Sequence, residues 1–235
     1  KDGGAAVDLP VSWQIRGLQV GDFIVDDLSF ANLELNGQGD SSTAFFQVRS
    51  EDVAGSIDVS DPANLVVDLL TLRLPGYEPG DNALQGNLDP IDLAIGRGLP
   101  RAEVFVNQLM IGEEPFGRWK FEITPEPGGV RFDIEDVLVN GVDITDSVIH
   151  WNLEQNRSAF SGSAQMQDLA EVLPLWGYAP VVTSKTASVV GNLSWAGSPA
   201  NLDIANSEGG VSLKAEEGSF LEVEGGQAGL RVLSL

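Results

Sequence analysis

The sequence predicts an all-β chain, a long antiparallel meander with one or two short helices. Three observations carry this. Apolar and polar residues alternate with period two along most of the chain. Turn-forming residues recur at short spacing, with 27 Gly and 12 Pro among 235 residues. Only one stretch has helical periodicity. Apolar residues make up 43% of the chain, enough to bury a large core and to exclude disorder.

In order along the chain, Trp13 and Ile15 alternate with Ser12, Gln14 and Arg16, and Leu18 and Val20 follow before an expected turn at Gly21-Asp22. Leu33 and Leu35 precede Asn36-Gly37, a hairpin signal because both residues tolerate positive φ. Phe46 and Val48, then Ile57 and Val59, give two more strands, closed by Ser60-Asp61-Pro62. Val104 and Val106 alternate with Glu103 and Asn107. The clearest pair is Trp119, Phe121 and Ile123 against Val130, Phe132 and Ile134, joined by Pro125-Glu126-Pro127-Gly128-Gly129. Val137 and Val139 continue the second strand to Asn140-Gly141. Val148–Leu153 and Ala159–Ala164 pair across residues 154–157. Strands resume at Ser188–Trp195, Asn201–Ala205, Gly210–Leu213 and Ser219–Val223.

The helical stretch is Asp168–Gly177. Asp168 caps it, Glu171 completes a capping box, and Gly177 ends it. Leu169, Val172, Leu173 and Trp176 are expected on one face, as core cover or as a gate at one end of the fold.

Charge and residue usage narrow the function. Thirteen basic residues face 35 acidic ones, a net charge of −22, which disfavours nucleic acid and anionic headgroups. There is no cysteine, so neither thiol chemistry nor a disulfide framework is available. His150 is the single histidine and has no partner motif. No G-x-S-x-G elbow, Walker loop or G-x-G-x-x-G fingerprint occurs. Acidic doublets such as Asp26-Asp27 and Glu135-Asp136 point to opposite faces of a strand and do not converge into an acid pair. Asp143-Ile144-Thr145-Asp146 lacks the rest of a calcium loop. The expectation is a protein without catalytic residues, cofactor or metal. No run reaches the ~20 apolar residues that span a bilayer.

What is left is apolar surface. A meander with one apolar face and little helix to cover it must close as a barrel, pair as a sandwich or curl into a gutter. A sandwich would make an interaction or scaffold module.

The C-terminal part resembles the AsmA-like superfamily. The residues that carry this are Gly191-Asn192-Leu193-Ser194-Trp195-Ala196-Gly197-Ser198-Pro199, then Gly209-Gly210-Val211-Ser212-Leu213, then Gly218-Ser219-Phe220-Leu221-Glu222-Val223. Gly229–Leu235 is similar to a closing G-x-L-x-L-L-x-L stretch, and Leu88-Asp89-Pro90 and Leu175-Trp176-Gly177-Tyr178 resemble the C-terminal part of YhdP-like envelope proteins. The resemblance covers about residues 88–235, and implies one β-gutter segment over 1–235 built of two similar meander units, about 1–87 and 88–235. Leu18–Gly21 and Leu109–Gly112 form a faint echo between the two units.

That resemblance implies the following. The segment would be the soluble, periplasmic part of an inner-membrane-anchored protein that bridges toward the outer membrane and conducts phospholipid. Its partners would be phospholipid acyl chains, adjacent segments of the same full-length protein, and both membranes through regions outside this chain. The candidate groove residues are Val104, Val106, Leu109, Ile111, Trp119, Phe121, Ile123, Val130, Phe132, Ile134, Val137 and Val139.

Overall fold

The computed structural model describes residues 12–25, 28–61, 63–74, 93–202 and 206–221. Alternation dominates these residues, and strands dominate the structure. In chain order they are β1 (Trp13–Val25), β2 (Leu28–Gly39), β3 (Ala44–Arg49), β4 (Val53–Asp61), β5 (Asn64–Leu74), β6 (Ala102–Val106), β7 (Leu109–Ile111), β8 (Glu114–Pro115), β9 (Arg118–Glu126), β10 (Gly129–Val139), β11 (Val142–Asn152), β12 (Arg157–Met166), β13 (Val182–Thr183), β14 (Thr186–Ala196), β15 (Glu208–Glu216) and β16 (Ser219–Phe220). Two helices interrupt them, α1 (Leu93–Gly98) and α2 (Leu169–Leu175).

Twelve strands hydrogen-bond side by side in the order β1-β2-β3-β4-β5-β6-β9-β10-β11-β12-β14-β15. Neighbours run antiparallel except β5 and β6, which run parallel and pair Leu65 with Ala102 and Leu69 with Val106. At this seam the meander stops and restarts; α1 lies in the connection. β7 extends the seam by pairing Leu72 with Leu109, again parallel. At ~4.8 Å per neighbour, twelve strands extend about 50 Å along the stacking direction. β1 and β15 end the order without meeting, so the sheet is not a closed barrel. A two-stranded ribbon, β13 with β16, is the only other sheet among the described residues, so no second layer makes a sandwich.

The sheet curls. Val137 is 1% exposed, Val130 2% and Leu33 4%, although no second large sheet covers them. The bend of the sheet toward this face accounts for that burial, with Leu93 and Leu99 adding cover over Val130. Register shifts at Ile15/Leu18, Ala54/Gly55, Ile134/Asp136 and Thr145/Val148 supply bends and extra twist.

Three turn and helix expectations need correction. Asn36-Gly37 is not a hairpin but lies inside β2. Asn36 Oδ1 accepts from Gly17 N at 2.8 Å, and Gly37 leaves room for the Phe46 ring, which a Cβ would meet at 2.9 Å. Packing across strands outweighs the local turn preference there. Gly21-Asp22 likewise sits within β1, whose irregularity falls at Gly17, at φ +58°. Trp176 does not share the buried face of α2; it is the C-cap and 43% exposed, because its backbone has already left the helix. Leu169 and Val172 are buried as expected. Leu88-Asp89-Pro90, Gly229–Leu235 and the unit boundary near residue 87 lie outside the described residues. The echo pair is not equivalent in place: Leu18–Gly21 is within the long end strand β1, whereas Leu109–Ile111 is a three-residue strand off the main order.

Candidate apolar groove

Strand register decides which side chains share a face. Val106 pairs with Trp119, Val104 with Phe121 and Ala102 with Ile123. Trp119 pairs with Val137, Phe121 with Ile134 and Ile123 with Phe132. Leu109 and Ile111 oppose Leu72 and Leu74. Leu72 opposes Val53. Residues opposite one another point the same way, so all twelve candidate residues lie on one face. Val106, Ile123, Val130, Ile134, Val137 and Val139 are buried; Val104, Leu109, Ile111, Trp119, Phe121 and Phe132 are half-buried. The rings of Phe121 and Phe132 sit 6.4 Å apart, tilted by 50°.

The face runs well beyond those twelve. Toward β1 it continues through Val67 and Leu69, Ile57 and Val53, Phe46 and Val48, Leu33 and Leu35, to Val20 and Ile15. Toward β15 it continues through Ile144, Ile149 and Trp151, Phe160, Val189 and Leu193, to Val211 and Leu213. The alternation of these residues was visible in the sequence. Their membership of one floor was not, because the parallel step at β5–β6 joins two stretches that the sequence separates by a long connection.

Few polar groups break the floor, and those few are turned inward. Ser147 contacts the carbonyls of Thr145 and Ser163 at 3.0 and 3.3 Å, and Ser158 donates to the Gly197 carbonyl at 2.8 Å. Both hydroxyls are buried and served by backbone. Trp195, the most distinctive residue of the C-terminal motif, is 3% exposed and donates its indole N–H to the Ser198 carbonyl at 2.8 Å.

The opposite face carries paired charges beside exposed Val66, Leu70, Leu138 and Val190. Arg118 meets Asp136 at 2.9 Å, Arg101 meets Glu122 at 2.6 Å and Arg157 meets Glu208 at 2.6 Å; Lys120 pairs with Glu135 and Arg131 with Asp133. Glu135 raises the Lys120 ammonium above its ordinary value, chiefly through their hydrogen bond. His150 lies on this face, with Nδ1 3.5 Å from Glu126. Asp143 and Asp146 are parts of strand β11 rather than a loop. Among the described residues no three His, Cys, Asp or Glu side chains are placed to hold a metal.

The two helices occupy different sides. α1 lies on the apolar floor: its Leu93, and Leu99 just past its end, pack against the cluster of Ala102, Ile123, Val130, Trp151 and Leu153. A Cβ on Gly96 would sit 2.5 Å from the Trp151 ring, so the helix backbone rests directly on the indole. α2, the helix expected to cover or gate the gutter, stands instead at the far strand ends on the polar side. Its Glu171, Val172 and Leu175 wall a cleft of about 690 Å³ that is lined by Leu138, Asp143, Gln165, Ser188 and Lys214 of the outer face. α2 ends at the Trp176 cap, before Gly177 at φ +77°, and Gly141 of the β10–β11 turn lies close to its Val172.

Chemically, the arrangement offers one apolar face with satisfied hydroxyls and an opposite face with paired charges. No helix of the described residues is long and apolar enough to cross a membrane. A family model described as YhdP protein matches residues 3–235. No curated protein and no solved structure matches the chain.

Proposed function

The chain belongs to the YhdP family, an AsmA-type family of the bacterial envelope, and from that membership and the unbroken apolar floor we propose that it is a non-catalytic segment that conducts phospholipid. The single observation that carries the reading is the continuity of the floor from β1 to β15, about 50 Å of apolar side chains reaching both open sheet edges. Acyl chains lying there gain about 0.8 kcal/mol per buried CH₂. The inward-bonded Ser147 and Ser158 leave no polar hook to arrest a moving lipid. The paired charges of the outer face keep that side in water.

In this account the segment lies in the periplasm, within a protein anchored in the inner membrane and directed toward the outer membrane. Adjacent segments of the same protein continue the floor at the β1 and β15 edges, where Leu18, Val211 and Leu213 are 45%, 56% and 58% exposed. Its ligand is the acyl part of phospholipids. The two meander units meet at the parallel β5–β6 seam.

The test is purification of the chain under native conditions, followed by native mass spectrometry and lipid extraction. The expected result is co-purified phospholipid, and its loss in Phe121→Asp with the fold retained. A folded, lipid-free wild type that takes up no added phospholipid overturns the reading and leaves a scaffold module.

A further inference from the structure

The far strand ends carry a surface that the trough does not explain. Thirteen consecutive residues, Val172 to Ser184, contain no charged side chain in a chain of net charge −22. Seven of them in a row, Pro174 to Pro180, are exposed. Within that run Leu175 is 57%, Trp176 43% and Tyr178 61% exposed. The ribbon brings Phe220 and Leu221 alongside: Phe220 pairs with Val182, and Leu221 N donates to the Val181 carbonyl at 2.9 Å. Phe220 is 81% exposed and Leu221 41%.

This tip is held rather than loose. Asp168 accepts from Ala170 N at 3.0 Å and from Ser184 N at 2.9 Å, which closes the base of the excursion. Tyr178 N bonds back to the Leu173 carbonyl at 2.9 Å. The Trp176 indole N–H donates to the Asn140 carbonyl at 3.2 Å, which satisfies its polar edge and fixes the ring. The run is bounded by two charges: Glu171, exposed in the first turn of α2, and Lys185, which pairs with Glu217 at 3.2 Å.

We infer that this aromatic tip docks the segment onto a zwitterionic lipid surface, inserting Leu175, Trp176, Tyr178 and Phe220 at the headgroup–acyl boundary. Trp and Tyr side chains have an apolar body and a polar edge and settle at that depth. Elsewhere the acidic surface is repelled by anionic headgroups; residues 172–184 carry no such charge. A protein interface is fixed in register by complementary charges and hydrogen bonds. This surface offers apolar rings without charges, which suits a fluid partner that needs no register. Such a contact would let a protein carrying the apolar floor meet a bilayer directly, but the docking itself does not require that the floor carry lipid.

The experiment is flotation of the whole chain with phosphatidylcholine vesicles, and with phosphatidylcholine vesicles doped with phosphatidylglycerol. Wild type is expected to float with the first and more weakly with the second. The Leu175→Ser/Tyr178→Ser/Phe220→Ser variant is expected to bind about tenfold or more weakly. All three side chains are exposed, so its circular dichroism and melting temperature stay at wild-type values. The triple variant is expected to keep whatever extractable lipid wild type holds, so loss of flotation and loss of floor lipid are read separately. Failure of wild type to float, equal flotation of the triple variant, or a self-associated wild type that the triple variant converts to monomer would each overturn the proposal. A second readout is amide exchange across residues 172–184, which vesicles should slow in wild type; no slowing there overturns it as well.

Discussion

The contact between α1 and Trp151 makes a quantitative prediction about how the floor is covered. Trp151 is 1% exposed, packs among Ala102, Ile123, Val130 and Leu153, and donates its indole N–H to Asn156 at 3.2 Å. Trp151→Ala removes a fully buried ring from a site that can only partly collapse, at a cost of about 3–5 kcal/mol. Loss of the Asn156 hydrogen bond adds about 1 kcal/mol. Gly96→Leu pushes a side chain into the same ring from above, since even its Cβ would lie 2.5 Å away. Overpacking there costs about 1–3 kcal/mol, offset in part by about 1 kcal/mol of gained helix propensity. In the double variant the leucine enters the space the indole has left. The propensity gain cancels in the cycle, so the coupling reports contact alone. Urea melts of the four proteins, compared at equal m, should show the double variant about 2 kcal/mol more stable than the sum of the single changes. Additivity within about 0.5 kcal/mol, or a Trp151→Ala cost below about 1 kcal/mol, would refute the placement of α1 on the floor.

Two further outcomes follow from local geometry. Gly162 faces Ser147 so closely that a Cβ would fall 1.9 Å from its hydroxyl, so Gly162→Val should cost about 1–3 kcal/mol in a urea melt, whereas Gly210→Val on β15, with open space around it, should cost clearly less. Asp40 accepts from the backbone N–H groups of Ser42 and Thr43, both at 2.8 Å, which hold its carboxyl down from the ordinary 3.8 to about 2. A depressed carboxyl stabilises the fold fully above its unfolded value and loses that contribution as pH falls through its folded value. The melting-temperature gap between wild type and Asp40→Ala should therefore be constant at neutral pH and narrow between pH 3.8 and about 2; a gap that holds at pH 2 would mean the carboxylate is not the source.

Much of this fold is legible in the residues. The β9–β10 pair follows from alternation on both sides of Pro125–Gly129, and Asn140-Gly141 turns as expected, with φ of +46° and +77°. The twelve groove candidates fall on one face because period two holds within each stretch and the bulge at Ile134/Asp136 returns Val137 and Val139 to the side of Ile134. Misjudged features are those decided at a distance. Asn36-Gly37 has turn chemistry, but Phe46 packs over Gly37 from the next strand. The parallel pairing of β5 with β6 has no local signature, so nothing in the sequence places Val67 and Leu69 on the floor that they share with Val104 and Val106. α1 is six residues long, and its role depends on the Trp151 surface beneath it rather than on its own pattern. α2 is marked in the sequence by its Asp168 cap and the spacing of Leu169 and Val172, yet its position beside the Asn140-Gly141 turn has no local signal.

The central claim is that lipid lies on the floor and not on the outer face. Phe132 and Arg131 are neighbours on β10 that point to opposite faces. A photo-activatable phenylalanine analogue placed at each position in turn, illuminated in cells and analysed by mass spectrometry, compares the two faces at one strand. Phospholipid adducts at position 132 and none at 131 is the predicted result. Equal labelling at both positions, or adducts at 132 to protein alone, would contradict the account.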